Sequence, residues 1–170
     1  MRISTILVLF QLISAVVYSQ SHNLETVTSD KCNFSANIPK NPAVATDSVY
    51  TQGQKVHTIT YTSWSKEQVT YSITCSDFPP AHLFDTPRKT FKMLRSAAVP
   101  AVDGKLEDMQ SITAQGYNGI SYTEKSDLFS VYNWVLIVDQ KIFQMYVSGL
   151  NHDAHEEAKQ FFEDFKLLSQ

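Results

Sequence analysis

The sequence predicts an α+β protein with a mainly antiparallel sheet. Two observations lead to this prediction. Apolar and polar residues alternate with a period of two in most of 34–76 and 105–150, as in half-buried strands. Two other stretches, 86–98 and 154–168, carry apolar residues every three or four positions, as helices do. The 8 Tyr, 10 Phe and 2 Trp against only 5 Gly also favour a sheet protein.

The first 19 residues are predicted to be a signal peptide. Arg2 supplies the positive charge, and residues 3–17 form a short apolar run. Val17 and Ser19 are the small residues that a signal peptidase accepts at a cleavage site before Gln20. We therefore expect an exported protein, secreted or periplasmic, with no membrane span after cleavage, because no second long apolar segment follows. Residues 20–31 are polar and are predicted to be a flexible leader before a single domain over 32–170.

The charge of the predicted mature chain argues against two classes of partner. With Arg2 removed, the chain carries 13 basic and 17 acidic residues, a net charge of −4. The densest basic stretch, 88–95, is short. Nucleic acids and anionic lipids both require an extended basic surface, so neither is an expected partner.

The two cysteines, Cys32 and Cys75, are predicted to form a disulfide, because exported proteins fold in an oxidising compartment. The loop would contain about 44 residues, for which chain entropy gives a stabilisation of roughly 4 kcal/mol. Two buried thiols are the alternative. Catalysis by either cysteine is not expected, because no base is fixed beside it.

The strands can be assigned one by one. Phe34, Ala36 and Ile38 alternate up to Pro39, and 43–51 is a weaker strand. Residues 55–64 and 69–78 are predicted to form an antiparallel hairpin. Further strands are predicted over 105–114, 120–126, 128–138 and 142–149, with a turn over 115–119 and a tight hairpin link at Asp139 and Gln140. Both faces of 128–138 are apolar, so this strand should lie inside the sheet.

The two helices have different start signals. Thr86 before Pro87 begins the first, over 86–98. The second begins within "NHDAHEEAKQFFEDFK" (151–166), where Asp153 and Glu156 have the spacing of a capping box. Phe161, Phe162 and Phe165 should pack this helix onto the sheet.

His152 and His155 raise the possibility of a metal site, because two histidines three apart beside carboxylates resemble helical zinc ligands. We interpret them as part of the helix start and expect no metal. His57 lies in a strand, and His22 and His82 lie in polar segments. The sequence lacks a nucleophile elbow, a phosphate-binding glycine loop and an H-E-x-x-H motif, so neither a catalytic residue nor a cofactor is expected. Core packing is the expected use of the aromatic residues between 117 and 134; lining a ligand groove is the alternative. They are Tyr117, Tyr122, Tyr132 and Trp134.

Five segments carry a resemblance to a known family: FSANIPKNP, VTYSITCSDFP, GKLEDMQSITAQGYNGISY, VYNWVLIVDQKIFQMYVSG and FFEDFKLL. Together, over about 32–169, they resemble the PsbP-like proteins, which include the extrinsic oxygen-evolving subunit of photosystem II, and most closely their small exported bacterial members. The shared features are the proline after the first strand, Gly116 and Gly119 in one turn, and the aromatic last helix. The resemblance implies an α/β/α sandwich with a central antiparallel sheet between helices. It also implies a binding or assembly role without catalysis.

Three hypotheses for function follow. The first is an exported accessory domain that binds a protein partner or a small ligand without catalytic activity. The rival is a small exported hydrolase or metal-dependent enzyme that uses His152, His155 and a nearby carboxylate. The third is a structural component of the cell surface or envelope. A deep pocket that joins the two histidines to a carboxylate would favour the enzyme, whereas a solvated helix start would favour the binding domain.

Overall fold

The computed structural model describes residues 24–51, 54–78, 105–150 and 153–168. These residues form ten strands and one helix, α1. The bounds are β1 Leu24–Ser29, β2 Phe34–Pro39, β3 Ala43–Thr51, β4 Gln54–Trp64, β5 Val69–Asp77, β6 Lys105–Ala114, β7 Tyr117–Lys125, β8 Phe129–Val138, β9 Lys141–Leu150, α1 His155–Asp164 and β10 Lys166–Leu167. Within these ranges no helix is long and apolar enough to cross a membrane.

Seven strands form one antiparallel sheet in the order β3-β4-β5-β9-β8-β7-β6. The hairpin of β8 and β9 turns at Asp139 and Gln140, with Val138 paired to Lys141, as predicted. The predicted pairing of β4 with β5 is also confirmed. β8 lies between β7 and β9, so its two apolar faces reflect an interior position.

The turn between β6 and β7 is shorter than predicted. It consists of Gln115 and Gly116, with φ angles of 52° and 84°, which suits the left-handed conformation of a two-residue hairpin link. Gly119 lies in β7 and not in the turn. A Cβ atom there would collide with the carbonyl oxygen of Val135 and with the Leu136 side chain, so this position requires glycine for close packing of β7 on β8.

A second, three-stranded sheet has the order β1-β2-β10. β1 pairs with β2 along its whole length, from Leu24 opposite Pro39 to Ser29 opposite Phe34. This strand lies where the sequence predicted a flexible leader, so the leader prediction is wrong for Leu24–Ser29. Polar side chains do not prevent the backbone hydrogen bonds of a sheet. Here one of them adds a side-chain bond between the two strands, because the Thr26 hydroxyl donates to Asn37 Oδ1 at 2.8 Å.

The small sheet and α1 pack on the same face of the large sheet and close the main core. Phe34 of β2 is fully buried and lies at the centre of this core. Its ring contacts those of Tyr61, Phe143 and Phe165, at centroid distances of 5.3, 6.1 and 5.6 Å. Aromatic edges and faces therefore join the two sheets to the end of α1.

The predicted α/β/α sandwich is wrong. The described part of the chain is mostly β, with two antiparallel sheets and one helix of 10 residues. The reason is that the layer against the large sheet is itself largely a sheet, built from β1, β2 and β10, and α1 covers only part of that face. The helix predicted over 86–98 lies outside the described residues.

The predicted disulfide between Cys32 and Cys75 is confirmed. Cys32 lies in the link between β1 and β2, and Cys75 lies in β5. Their Cα atoms are 6.3 Å apart, within the usual range for a disulfide, and both residues are buried. The bond therefore ties the small sheet to the large one.

Candidate groove between the helix and strand β8

A groove of about 600 Å³ lies between α1 and the end of the large sheet formed by β6, β7 and β8. Its volume is typical of small-molecule sites. Strand register brings the sheet side chains together, because Ser121 lies opposite Trp134 and Thr123 lies opposite Tyr132, so all four share one face. We call this site the α1–β8 groove and define it by Ser121, Tyr132, Trp134, Asp153, His155 and Phe162.

Aromatic rings form one wall of the groove. Trp134 stacks on Phe162 of α1, with ring centroids 4.6 Å apart and an interplanar angle of 11°. Tyr132, two residues earlier on the same face of β8, meets the His155 ring edge-on at 5.4 Å. Trp134 and Tyr132 remain half-buried, so part of their surface faces the groove.

The four aromatic residues identified in the sequence do not act together. Tyr122 is buried on the opposite face of the large sheet, in a second core cluster with Ile120, Val135 and Ile142. Tyr117 packs against the main core. Core packing therefore accounts for Tyr122, and Tyr117 packs on the core beside a second cavity, whereas Tyr132 and Trp134 line the groove, which was the alternative use.

Tyr132 and Asp153 form the polar end of the groove. The Tyr132 hydroxyl donates a hydrogen bond to Asp153 Oδ1. This bond, supported by the His155 backbone N–H, holds the pKa of the Asp153 carboxyl below its usual range. Partial burial and the bond to Asp153 raise the pKa of Tyr132. At neutral pH the Asp153 carboxylate is therefore ionised and accepts a hydrogen bond from the neutral Tyr132 hydroxyl.

The predicted capping box is wrong. The N-cap of α1 is Ala154, one residue after Asp153, and it makes no side-chain capping hydrogen bond. The Asp153 carboxylate accepts the Tyr132 hydroxyl and also interacts with the His155 backbone N–H, so it meets the first turn of the helix without being its N-cap residue. A capping box is recognised from the spacing of two nearby residues, here Asp153 and Glu156. Tyr132, which binds the Asp153 carboxylate, lies 21 residues earlier in the chain, so the local spacing does not reveal it.

We expect Asp153→Ala to lower the free energy of unfolding by about 0.5–1.5 kcal/mol at neutral pH, the usual worth of a hydrogen bond. Because the folded-state pKa of Asp153 is lowered, this contribution is complete above its unfolded pKa of about 3.9 and is lost as pH falls through the folded value. Urea unfolding from pH 7 to pH 2 should show the difference between wild type and variant shrinking in acid. Asp127→Ala, an exposed acid, is the control; a pH-independent difference would contradict the prediction.

Of the two histidines that resembled zinc ligands, only His155 lies in the described part of the chain. His155 is the exposed first residue of α1, and its ring lies against Tyr132. His152 lies outside the described residues, as do His22 and His82. In the part of the chain that is described, no three His, Cys, Asp or Glu side chains are grouped to hold a metal ion. His57, in β4, shares a hydrogen bond with Ser48 at 3.0 Å.

Charges of both signs line the groove. Lys125 Nζ lies 3.9 Å from Glu107 Oε2, and the positive charge of Lys125 helps to lower the pKa of Asp153. Asp108 and Lys159 complete the charged lining, which thus has two acids and two lysines, and Glu107 adds a third acid beside Lys125. The groove therefore offers charged hydrogen-bond donors and acceptors in nearly equal number.

Ser121 contributes a buried hydroxyl to the groove. The residue is 9% exposed, and its Oγ has no hydrogen-bond partner within the described ranges. Leaving such a group unpaired costs about 1–3 kcal/mol, so buried polar atoms are normally bonded. Ser121 could not be identified from the sequence, because its hydroxyl lacks a partner only once the strand register places Trp134 opposite it.

A second cavity of about 550 Å³ lies beside the disulfide, between the β1–β2 link and the β8–β9 turn. Cys32, Tyr117 and Val138 line its inner side, and Asp77, Asp139 and Lys141 lie at its rim. Among the described residues it contains no buried side-chain polar atom without a partner. The α1–β8 groove is therefore the stronger candidate.

Comparison with known proteins shows the fold. No known family's sequence profile matches this chain, and no curated protein sequence matches it. The cyanobacterial PsbP protein CyanoP from Synechocystis sp. PCC 6803 is similar in structure, with a TM-score of 0.53 and 13% identity over 85% of this chain and 92% of that one. The resemblance to PsbP is thus confirmed for the fold.

A second solved structure, a protein from Bacteroides thetaiotaomicron VPI-5482, gives a TM-score of 0.50 and 11% identity. The match covers 86% of this chain but only 49% of the Bacteroides protein, so this chain corresponds to about half of that molecule. At such low identity the similarity carries the fold and does not transfer a ligand or partner.

Proposed function

We propose that this protein is an exported binding domain without catalytic activity and that the α1–β8 groove holds its ligand. One observation carries the proposal: the groove joins half-buried aromatic surface to a buried hydroxyl, Ser121, that has no partner in the described part of the chain. Concave sites with an apolar wall and a few polar groups are typical of ligand binding. The predicted signal peptide and the disulfide support export.

The polar groups of the groove fit binding better than core packing. A packed core would cover the aromatic rings and pair the hydroxyl, whereas here Tyr132 and Trp134 keep exposed surface and Ser121 stays unpaired. The Tyr132–Asp153 bond fixes a charged acceptor at one end before any ligand arrives. Such preorganisation reduces the ordering cost of binding.

The rival function is a metal-dependent enzyme, and one observation favours it: Asp153 and His155 both line the groove. That mechanism needs both groups free to hold a metal ion together with His152. Asp153 already accepts the Tyr132 hydroxyl, and the His155 ring packs against Tyr132. A zinc-dependent rise in melting temperature that both His152→Ala and His155→Ala remove would favour the enzyme over the binding domain.

Trp134 provides a direct test of the groove. The chain has two tryptophans, and the exposed Trp64 can be replaced with phenylalanine so that Trp134 is the source of all tryptophan fluorescence. We expect members of a neutral fragment library that bind in ligand-observed NMR to shift the Trp134 emission and saturate it. The control, Trp134→Phe with Trp64 retained, should show no emission change. Fragments that bind without affecting Trp134, or a library without any binder, would contradict the proposed function.

A further inference from the structure

We propose that the α1–β8 groove binds a neutral, hydroxyl-rich ring, the chemistry of a sugar unit. This inference rests on the proposed function and specifies its ligand. Three features of the groove lead to it: an aromatic wall, charges of both signs in nearly equal number, and an unpaired buried hydroxyl.

The aromatic wall suits a ring that presents a flat apolar face. Phe162 lies nearly parallel to Trp134 and covers one face of the indole, so its plane is fixed. Tyr132 stands two residues away on the same face of β8 and extends the wall. A saturated ring with C–H groups on its face can lie on such a surface and bury apolar area there.

The charges of the groove exclude ions of either sign. An anionic ligand would meet Asp108 and Asp153, and a cationic ligand would meet Lys125 and Lys159. Lys125 Nζ lies 3.9 Å from Glu107 Oε2, and Asp108 and Asp153 line the same groove as Lys125 and Lys159, so acids and bases are mixed there. Hydroxyl groups donate and accept, so they can use carboxylates and ammonium groups side by side.

Ser121 supplies the inner contact. Its hydroxyl can both donate and accept, it is 9% exposed, and it has no partner in the described ranges. It lies directly opposite Trp134 in the register. The Ser121 Oγ atom itself exposes almost no surface, so a hydroxyl of a ring on the aromatic wall reaches it once the Ser121 side chain turns toward the groove, and that contact would relieve the cost of the unpaired group.

The first test compares neutral and charged sugars on the Trp64→Phe protein. Glucose, galactose, mannose and N-acetylglucosamine are titrated while Trp134 emission and ¹H–¹⁵N NMR shifts are recorded. We expect at least one to bind saturably. Glucosamine and glucose 6-phosphate, the charged counterparts, should bind about tenfold more weakly because each meets a like charge. Equal or tighter binding of a charged counterpart would overturn the proposal.

Ser121→Ala separates binding from folding. Removing an unpaired buried hydroxyl should leave the melting temperature unchanged or raised, whereas sugar affinity should fall by about three- to tenfold through the lost hydrogen bond. Ser111→Ala, an exposed serine whose side chain lies on the opposite face of the sheet, should bind sugar as wild type does. Unchanged affinity in Ser121→Ala would overturn the proposal.

The outcomes distinguish this inference from the proposed function. If neutral fragments shift Trp134 emission but none of the sugars does, the ligand class is wrong and the groove remains a binding site. If neither fragments nor sugars reach Trp134, both the inference and the proposed function fail.

Discussion

Phe165→Ala is expected to lower the free energy of unfolding by about 3–5 kcal/mol, the usual cost of removing a buried phenylalanine ring. Phe165 is 1% exposed and directly follows α1. Its ring stacks on Phe34 at 5.6 Å and meets Phe143 at 5.5 Å, so it contacts both sheets at once. The substitution leaves a cavity at the point where the helix, the small sheet and the large sheet join.

Urea unfolding at pH 7, followed by far-ultraviolet circular dichroism, measures this loss. Because a domain of this size is stable by about 5–15 kcal/mol, the transition should move to clearly lower urea. Leu128→Ala is the matched control: Leu128 is 61% exposed, and surface substitutions usually stay within about 0.5 kcal/mol. Equal midpoints for the two variants would show that Phe165 does not anchor the helix.

Most strands could be predicted because their signal is local. In β8, two apolar faces indicated an interior strand, and the short link at Asp139 and Gln140 fixed the hairpin with β9. Apolar and polar residues alternate in the sequence wherever one face of a strand packs on a core. The disulfide was predicted from export and an even cysteine count, and it joins two positions that fold close together.

β1 could not be predicted because its stability is not local. The strand is rich in polar residues, and it forms because β2 offers a backbone ladder along its whole length. Without β1 there was no reason to expect a second sheet, and the resemblance to PsbP-like proteins implied helices on both faces of the large sheet. The predicted sandwich failed for that reason.

The site was predicted only in part. Tyr132 and Trp134 could be recognised as candidates for a groove because exposed aromatic residues suit ligands, although packing was the expected use. Ser121 and the Tyr132–Asp153 bond depend on strand register and on the position of α1 over β8. A one-residue change of register would turn Ser121 to the other face, and the spacing of residues along the chain does not specify that choice.

Removing the disulfide is expected to lower the free energy of unfolding by about 4 kcal/mol, from the chain entropy of the loop that it closes. Cys32→Ala combined with Cys75→Ala is the suitable variant, because a single substitution would leave a reactive thiol. Urea unfolding measures the loss. The wild-type protein under reducing conditions should unfold near the same midpoint as the double variant, whereas its oxidised form should unfold at higher urea. A double variant as stable as the oxidised protein would contradict the prediction.

In addition to this global loss, the small sheet should open locally more easily when the disulfide is absent. β1, β2 and β10 share no backbone ladder with the large sheet, so side-chain packing, a few side-chain hydrogen bonds such as that from Ser63 to Pro39, and the disulfide hold the two together. Amide hydrogen exchange should therefore accelerate more in β1 and β2 than in β8 and β9 when the bond is absent. Thiol titration provides the chemical check: unreduced, denatured wild type should show no free thiol, and two should appear after reduction. Uniform acceleration across both sheets would mean that the disulfide stabilises the whole domain by restricting the unfolded chain and does not hold the small sheet in place.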